Sequence, residues 1–338
     1  MSRPPAVLPT CYDNRILIMP SKGNIRNYGL DFLKGLAACF VVFMHVRFPG
    51  FYGDHLSSLG RFAVPVFFMT SGYFAYGATK EKTLKSIKRT SVYLIVAYLI
   101  ALFSLFIISG FSFGRLWQLI DQKILNVNHF LRFVFLADSR ISGVAWFLWS
   151  LLLCYVFKFF LGPKLRYIAY IGLFVRVAGS IQYPFLHLTI PVNTPWVTGI
   201  PFFIIGELLN ENKEWVNHSV SSALAVGVAI MGFLIMLTSF FYPSLFWFIG
   251  TLLLSPALFV LFSRMDMKYN AMCLLGSVYA FFIYIVHPLV MHVYDAFRPL
   301  PSTAELWLRP WVVLFLTILL AVTYYSIKGV ILKKKKSK

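Results

Sequence analysis

Long apolar stretches separated by short basic loops run along nearly the whole chain. Ten of them approach the roughly 20 residues that an α-helix needs to cross a bilayer. They lie near residues 28–46, 61–79, 91–110, 143–162, 166–182, 195–210, 220–240, 244–263, 275–296 and 308–331. The fifth and sixth are short and interrupted by polar residues or proline. The pattern predicts an all-α, polytopic membrane bundle of about ten transmembrane helices.

The composition agrees with a membrane protein. The 338 residues are 59% hydrophobic and 13% charged, and the mean hydropathy is +0.74. A soluble domain cannot cover so much apolar surface. The four cysteines, Cys11, Cys39, Cys154 and Cys273, are scattered, so they predict neither a disulfide framework nor a metal site. We expect them to be small apolar residues.

The formal net charge of +19 comes largely from Lys and Arg in the short loops. In a soluble protein such a charge would indicate nucleic acid, but the sequence has no basic groove interleaved with aromatic residues on a soluble fold, so no nucleic-acid partner is expected. With ten spans, most basic loops fall on one side of the membrane, and that side is predicted to be cytoplasmic. Both chain termini are expected there.

The same pattern divides the chain into one membrane domain with two short tails. Residues 1–25 lack the apolar core and cleavage site of a signal peptide and are expected to form a cytoplasmic tail. Residues 26–331 form the membrane domain, and residues 332–338 form a basic cytoplasmic tail. On the opposite side, the long loop 111–142 is predicted to hold an amphipathic segment on the outer membrane surface.

Ionisable residues interrupt the first apolar stretch, and such residues are functional-site candidates in a membrane. A helix advances 100° per residue, so Lys34 and His45 lie within about 20° of each other, with Asp31 about 60° away. At 1.5 Å per residue, however, Asp31 is roughly 21 Å from His45 along the helix axis. Asp31 is therefore expected to pair with Lys34, Arg26 or Arg89 at the cytoplasmic end. For Asp31 and Lys34, a structural ion pair and a substrate role both remain open.

The second stretch runs back and carries Arg61, Pro65, Phe68 and Gly72 at helical spacing. Arg61 follows His45 after one short loop, so the hairpin brings an imidazole and a guanidinium together in the outer half of the membrane. An imidazole can take a proton from a hydroxyl, and a guanidinium can hold a carbonyl, an oxyanion or a phosphate. A lone membrane histidine is often only a hydrogen-bond donor between helices, but the pair favours a catalytic site.

Further polar and aromatic groups are predicted at the same depth. They are Trp146, Asn193, Thr194, Trp196, Tyr284 and His287. For each tryptophan alone, a place in the interfacial aromatic belt is the alternative. If His45 needs a carboxylate partner, the outer-side candidates are Asp54, Asp138 and Asp295. On the inner side lies a basic patch of Lys80, Lys82, Lys85, Lys88 and Arg89. It could bind the phosphates of a nucleotide-type cofactor or anionic lipid. The retention of basic loops on the cytoplasmic side alone explains most of this positive charge.

The residues also resemble a known family. LDFLKGLAACFVVFMH followed by RFAVPVFFMTSGY resembles the opening of the acyltransferase-3 family of bacterial membrane proteins, and WFLWSLLLCY, PFFIIGELL and YIVHPL fit its later segments. The resemblance covers nearly the whole chain. It implies about ten spans in the bacterial cytoplasmic membrane, and transfer of acetyl or other acyl groups from a coenzyme A thioester to sugar hydroxyls of surface polysaccharides or lipid-linked glycans.

The family's functional pair maps onto His45 and Arg61, which are therefore the candidate catalytic residues. Many members have Arg where this chain has Lys34, which keeps the charge and loses the bidentate fork. Acyl-CoA is expected as co-substrate, with no tightly bound cofactor and no metal. Its arm is predicted to thread between the first two spans towards His45, which acts as general base or carries the acyl group. The alternatives are an exporter or flippase of a glycan or lipid-linked sugar, and a structural subunit of a synthase.

The remaining candidate residues fall into three sets. Lys34, Lys85, Lys88 and Arg89 are predicted to bind the donor. Trp146, Trp196, Tyr284 and His287 are predicted to line the sugar side. Asp31, Pro65, Ser71 and Gly72 are predicted to support the site.

Overall fold

The structure is a computed structural model that describes residues 26–124, 127–139, 141–186, 193–238, 243–297 and 302–336. Throughout these residues the regular structure is helical, which confirms the all-α prediction. The helices are α1 Tyr28–His45, α2 Gly50–Leu59, α3 Ala63–Ala75, α4 Lys80–Ile108, α5 Phe113–Ile124, α6 Val127–Leu136, α7 Ala145–Leu161, α8 Leu165–Leu186, α9 Ile200–Glu211, α10 Lys213–Ser219, α11 Ser222–Thr238, α12 Pro243–Arg264, α13 Ala271–Leu274, α14 Ala280–Phe297 and α15 Thr303–Lys336.

Six helical segments of the described chain are long and apolar enough to cross a membrane. They are Tyr28–His45, Lys80–Ile108, Ala145–Gly179, Trp247–Arg264, Ala271–Phe297 and Thr303–Ile331. A seventh is present if α10 and α11, which meet at 94°, form one broken span. The prediction of a multi-pass membrane protein is confirmed, while the number ten stays a prediction.

The difference in number has two physical sources. The predicted spans 61–79 and 195–210 correspond to α3 and α9, which have only 13 and 12 residues and are buried along most of their length. Both are interior helices packed against each other. The predicted spans 143–162 and 166–182 correspond to α7 and α8, which together form one nearly continuous apolar run, Ala145–Gly179, that is interrupted at Gly162, where φ is +55°.

Glycines set how closely α3 and α9 approach. A Cβ atom placed on Gly72 would lie 1.8 Å from the carbonyl oxygen of Phe203, and one placed on Gly206 would lie 2.0 Å from that of Met69. Only glycine leaves room for these backbone contacts. Small residues at crossing points are typical of membrane helix packing, where close backbone approach supplies the attraction.

Hydrogen bonds between helix ends place the basic loops at one end of the bundle. The amide of Asn27 donates to the carbonyl of Ser263 at 2.6 Å, and that of Asn210 donates to the carbonyl of Tyr73 at 2.7 Å. The start of α1 therefore lies beside the end of α12, and the end of α3 lies beside the end of α9. We call this end the basic end; it holds Arg26, Lys80, Arg166 and Arg264. That it faces the cytoplasm remains a prediction.

At the opposite end, the predicted amphipathic segment folds as two short amphipathic helices, α5 and α6. The indole nitrogen of Trp149 donates to the carbonyl of Val134 at 3.1 Å, which ties α6 to α7. The rings of Trp117 and Phe130 are exposed. These rings are available to the membrane surface, as expected for an interfacial segment.

Candidate active site

A cavity of about 560 Å³ opens at the end of the bundle opposite the basic end. Its walls come from α1, α2, α3, α7, α9, α12 and α14, so segments far apart in sequence meet here. Seven residues put forward from the sequence line it: His45, Asp54, Arg61, Pro65, Trp146, Asn193 and Tyr284. The two candidate catalytic residues therefore open onto one shared space.

His45 is the last residue of α1, and its side chain is exposed to the cavity. Its ring packs against that of His287, with the centroids 5.1 Å apart. His287 is completely buried, and its Nδ1 lies 3.0 Å from the carbonyl oxygen of Ile283. A carbonyl oxygen can only accept, so Nδ1 carries the proton. Nε2 of His287 is then an acceptor without a hydrogen-bond partner in the described chain.

His287 therefore stands behind His45 and is not among the residues that line the cavity, which differs from its predicted place on the sugar side. The free Nε2 is available to accept a hydrogen from His45. A histidine base usually has such a second group that fixes its ring. The sequence indicated both histidines, but the packing of α1 against α14 decides which one faces the cavity.

One of the three predicted carboxylate partners shares the cavity with His45. Two of the three are held by arginines elsewhere: Asp138 by Arg132 at 2.9 Å and Asp295 by Arg309 at 2.6 Å. Asp54, on α2, lines the cavity, and its carboxylate forms no ion pair or hydrogen bond with the described residues. Asp54 is thus the candidate that remains free to act with His45.

Arg61 lies in the short 3₁₀ turn between α2 and α3. Its guanidinium carbon is 3.4 Å from the centroid of the Trp247 ring, which is a close cation–π stack. Within the described residues Arg61 has no carboxylate partner. A stacked guanidinium keeps its N–H donors in its own plane. The stack therefore fixes the orientation of Arg61 and leaves those donors for a ligand.

The aromatic residues predicted around the site divide into two groups. Trp146 and Tyr284 line the cavity, and the Tyr284 hydroxyl is committed to the carbonyl of Val144. Trp196 is not among the lining residues. Its indole nitrogen donates to the carbonyl of Phe135 at 2.5 Å, so it joins α6 to the π-helical turn before α9. This contact favours the structural alternative for Trp196.

Several residues of the site were not proposed from the sequence. Trp247, Arg47 and His55 line the cavity, and Arg176 lies behind its wall, 5.3 Å from the ring of Phe248. Arg176 is only 2% exposed and lies in α8. A charged residue inside a predicted span is the same signal that identified His45, so the sequence could have shown it. No sequence pattern around Trp247 indicates a functional role, because that role depends on its contact with Arg61.

At the basic end, the predicted pairing of Asp31 is confirmed. One carboxylate oxygen lies 2.6 Å from Nε of Arg26 and the other lies 2.7 Å from Nζ of Lys34. Lys85, Lys88 and Arg89 are exposed on α4.

A second cavity, of about 500 Å³, lies at the basic end between α4, α7 and α9. Its cationic lining consists of Lys80, Lys158 and Arg166 rather than the four residues predicted for the donor. Lys158 forms a half-buried ion pair with Glu207, and Arg166 lies 3.5 Å from Glu211. Most of its positive charge is therefore already neutralised.

The two cavities are separated by packed side chains. Leu33, Ala37 and Val41 of α1 and Phe68 of α3 are completely buried in one apolar cluster. These residues fill the interface through which the donor's arm was predicted to pass. Three of the predicted supporting residues, Pro65, Ser71 and Gly72, lie on α3, whereas Asp31 lies on α1. The hydroxyl of Ser71 donates to the carbonyl of Phe67 at 2.8 Å.

The residues of the described ranges include no group of three or more His, Cys, Asp or Glu side chains placed to hold a metal ion. The chemistry available at the cavity is that of an imidazole, a carboxylate and guanidinium groups. Such a set can remove a proton from a hydroxyl and stabilise an oxyanion.

A comparison with known protein families finds a match over most of the chain. Residues 27–326 match the family described as "Acyltransferase domain" of the acyltransferase-3 type. No curated protein and no solved structure matches the chain significantly. The match begins one residue before α1 and reaches well into α15, so it includes both cavities. The protein is a membrane acyltransferase that belongs to the acyltransferase-3 family.

Proposed function

We propose that the protein transfers an acyl group, acetyl by default, from acyl-CoA to a sugar hydroxyl of a cell-surface polysaccharide or lipid-linked glycan. The observation that carries this proposal is that His45 and Arg61 open onto the same cavity. We place the protein in the bacterial cytoplasmic membrane with the basic end in the cytoplasm, because basic loops are retained on that side.

The reaction follows from the groups at the cavity. A sugar hydroxyl attacks the thioester carbonyl carbon while His45 takes the hydroxyl proton. The resulting oxyanion is stabilised by the guanidinium of Arg61. Collapse of this intermediate breaks the carbon–sulfur bond, and the CoA thiolate leaves with the proton returned from His45. Nε2 of His287 or the carboxylate of Asp54 can hold the imidazole in the required orientation.

The cavity has the properties of a small sugar site. A volume of about 560 Å³ lies within the range of small-molecule pockets, so it accommodates a few sugar units of the acceptor at a time. Trp146 and Phe202 supply aromatic and apolar surface against the faces of sugar rings, and Asn193 supplies polar contacts. Acceptor glycans on the outer side of the membrane reach this end directly.

The donor is proposed to bind at the basic end through its phosphates. The four residues assigned to this role from the sequence are Lys34, Lys85, Lys88 and Arg89. Because the α1–α3 interface is filled by packed side chains, an acyl-pantetheine arm passes between these helices only if they separate. Donor binding is therefore proposed to be coupled to a movement of α1 relative to α3.

Release of free CoA in proteoliposomes tests the proposal. Acetyl-CoA is supplied on the side of the basic end, a glycan extract on the other side, and acetylation is read by mass analysis. His45→Ala should abolish transfer while the protein still inserts and elutes as a single species. His218→Ala, which changes an exposed histidine at the basic end, is the matched control and should keep full activity. Transfer that persists in His45→Ala, or movement of labelled glycan that does not depend on acetyl-CoA, contradicts the proposal.

A further inference from the structure

Two guanidinium groups line the cavity without a carboxylate partner. Neither Arg47 nor Arg61 forms an ion pair with any carboxylate of the described residues. Asp54 is the one acidic residue among those that line this cavity. The arginine and carboxylate side chains that line the cavity therefore carry an excess of positive charge.

Topology does not account for these charges. Basic residues that only fix orientation belong to the opposite end of the bundle, where the basic loops lie. Two other arginines at the cavity end, Arg132 and Arg309, are each neutralised by an aspartate. Arg47 and Arg61 differ from them in lining the cavity without an ion-pair partner among the described residues, and the single carboxylate of Asp54 cannot neutralise both. Arg61 is partly buried, and because uncompensated charge inside a membrane protein is costly, it marks a binding site for a ligand. Arg47 is exposed to the same cavity and is accessible to that ligand.

The acyl transfer itself does not use both groups. Arg61 is fixed over the Trp247 ring and is assigned to the thioester oxyanion. Arg47 has no such stack; its side chain is exposed and it follows His45 by two residues. A free guanidinium beside the catalytic base offers paired N–H donors to a carboxylate or phosphate.

On the basis of the proposed acyl transfer, we propose that the acceptor carries an anionic group, a phosphate or a carboxylate, which binds Arg47 while the hydroxyl to be acylated lies at His45. The anion neutralises the excess charge of the cavity and fixes the register of the sugar. Neutral sugars bind the same cavity without this contact.

Three small acceptors that differ in charge test the inference with the full-length protein in proteoliposomes. The probes are methyl glucoside, methyl glucuronide and glucose 1-phosphate, with CoA release as the readout. Charge-assisted hydrogen bonds predict a kcat/KM about tenfold or more higher for an acidic probe than for the neutral one. The two acidic probes distinguish a carboxylate source from a phosphate source.

Arg47→Gln should reduce the ratio of kcat/KM between an acidic probe and the neutral probe to near one. Arg47→Lys should keep part of this preference. Arg115→Gln removes the same charge from the exposed face of α5 outside the cavity, and its preference should equal that of the wild type. Equal kcat/KM for the three probes in the wild type, or an unchanged preference in Arg47→Gln, overturns the inference.

Equilibrium binding separates this inference from the acyl-transfer proposal. If no probe releases CoA, the affinities of the same three compounds are measured by calorimetry with the detergent-solubilised protein. Tighter binding of an acidic probe that is lost in Arg47→Gln upholds the anionic site even without transfer. Equal affinities of all three probes overturn it.

Discussion

Replacing Gly72 with alanine tests the closest helix contact near the cavity. A Cβ atom at this position would lie 1.8 Å from the carbonyl oxygen of Phe203, below the 3.0 Å that real Cβ atoms keep. The added Cβ is bonded directly to the backbone, and the Phe203 carbonyl is part of the backbone, so the overlap cannot be relieved by moving a side chain. The helices α3 and α9 must therefore separate or slide.

The expected cost follows from two opposing effects. Overpacking of this kind costs about 1–3 kcal/mol or more, whereas alanine gains about 1 kcal/mol over glycine in helix propensity. We expect a net loss of about 2 kcal/mol of stability. The unfolding entropy of a 338-residue protein is about 0.7 kcal/mol/K, so this loss corresponds to a fall of about 3 °C in Tm. Because Arg61 immediately precedes α3 and Phe202 lies on α9, a shift of about 1 Å should also lower transfer by about 100-fold.

Thermal unfolding in detergent, followed by loss of the monodisperse elution peak, measures the first effect, and CoA release measures the second. Gly227 provides a matched control, because it is also inside a helix but has no atom within 4 Å of its Cβ position. Gly227→Ala should leave activity unchanged and raise Tm slightly. A Gly72→Ala protein that unfolds within one degree of the wild type and transfers normally would refute the reasoning.

Two further substitutions test the charges at each end of the bundle. Trp247→Leu removes the stack on Arg61, which is worth about 0.5–2 kcal/mol, and should lower kcat/KM about 3- to 30-fold with an unchanged elution profile. Trp247→Phe keeps an aromatic ring and should lower kcat/KM less. Equal rates in the wild type and both variants would contradict the role of the stack. Glu207→Leu leaves Lys158 charged and half-buried, and should destabilise the protein by about 3–5 kcal/mol in thermal unfolding. Adding Lys158→Met should restore most of that loss, and a double variant no more stable than the single one would exclude a charge effect.

Much of the hairpin formed by α1 and α3 could be predicted from the sequence. Helical periodicity predicts that Lys34 and Asp31 lie close together on α1. The short connection between His45 and Arg61 predicts that these two residues lie at the same end of the bundle. These relations depend on spacing within or between neighbouring helices. The structure shows the pairing of Asp31 and the shared cavity of His45 and Arg61.

Relations between distant segments could not be predicted in the same way. The stack of Arg61 on Trp247 joins two residues that are 186 positions apart in the chain (247 − 61 = 186), and no local sequence pattern specifies it. Hydropathy also cannot distinguish an interior helix from a lipid-facing one, because both are apolar in a membrane protein. This is why α3 and α9 read as full spans in the sequence although each is too short to cross alone.

The charges at the two ends of the bundle are handled in opposite ways, and this contrast bears on function. At the basic end, the shielded acids Asp31 and Glu207 are each bound to a basic side chain, so charge there is compensated within the protein. At the cavity end, Arg47, Arg61 and Asp54 face an enclosed space without ion-pair partners in the described chain. The free charges of the cavity end are therefore the ones proposed to bind and transform the acceptor, while the exposed basic residues of the other end are proposed to bind the donor.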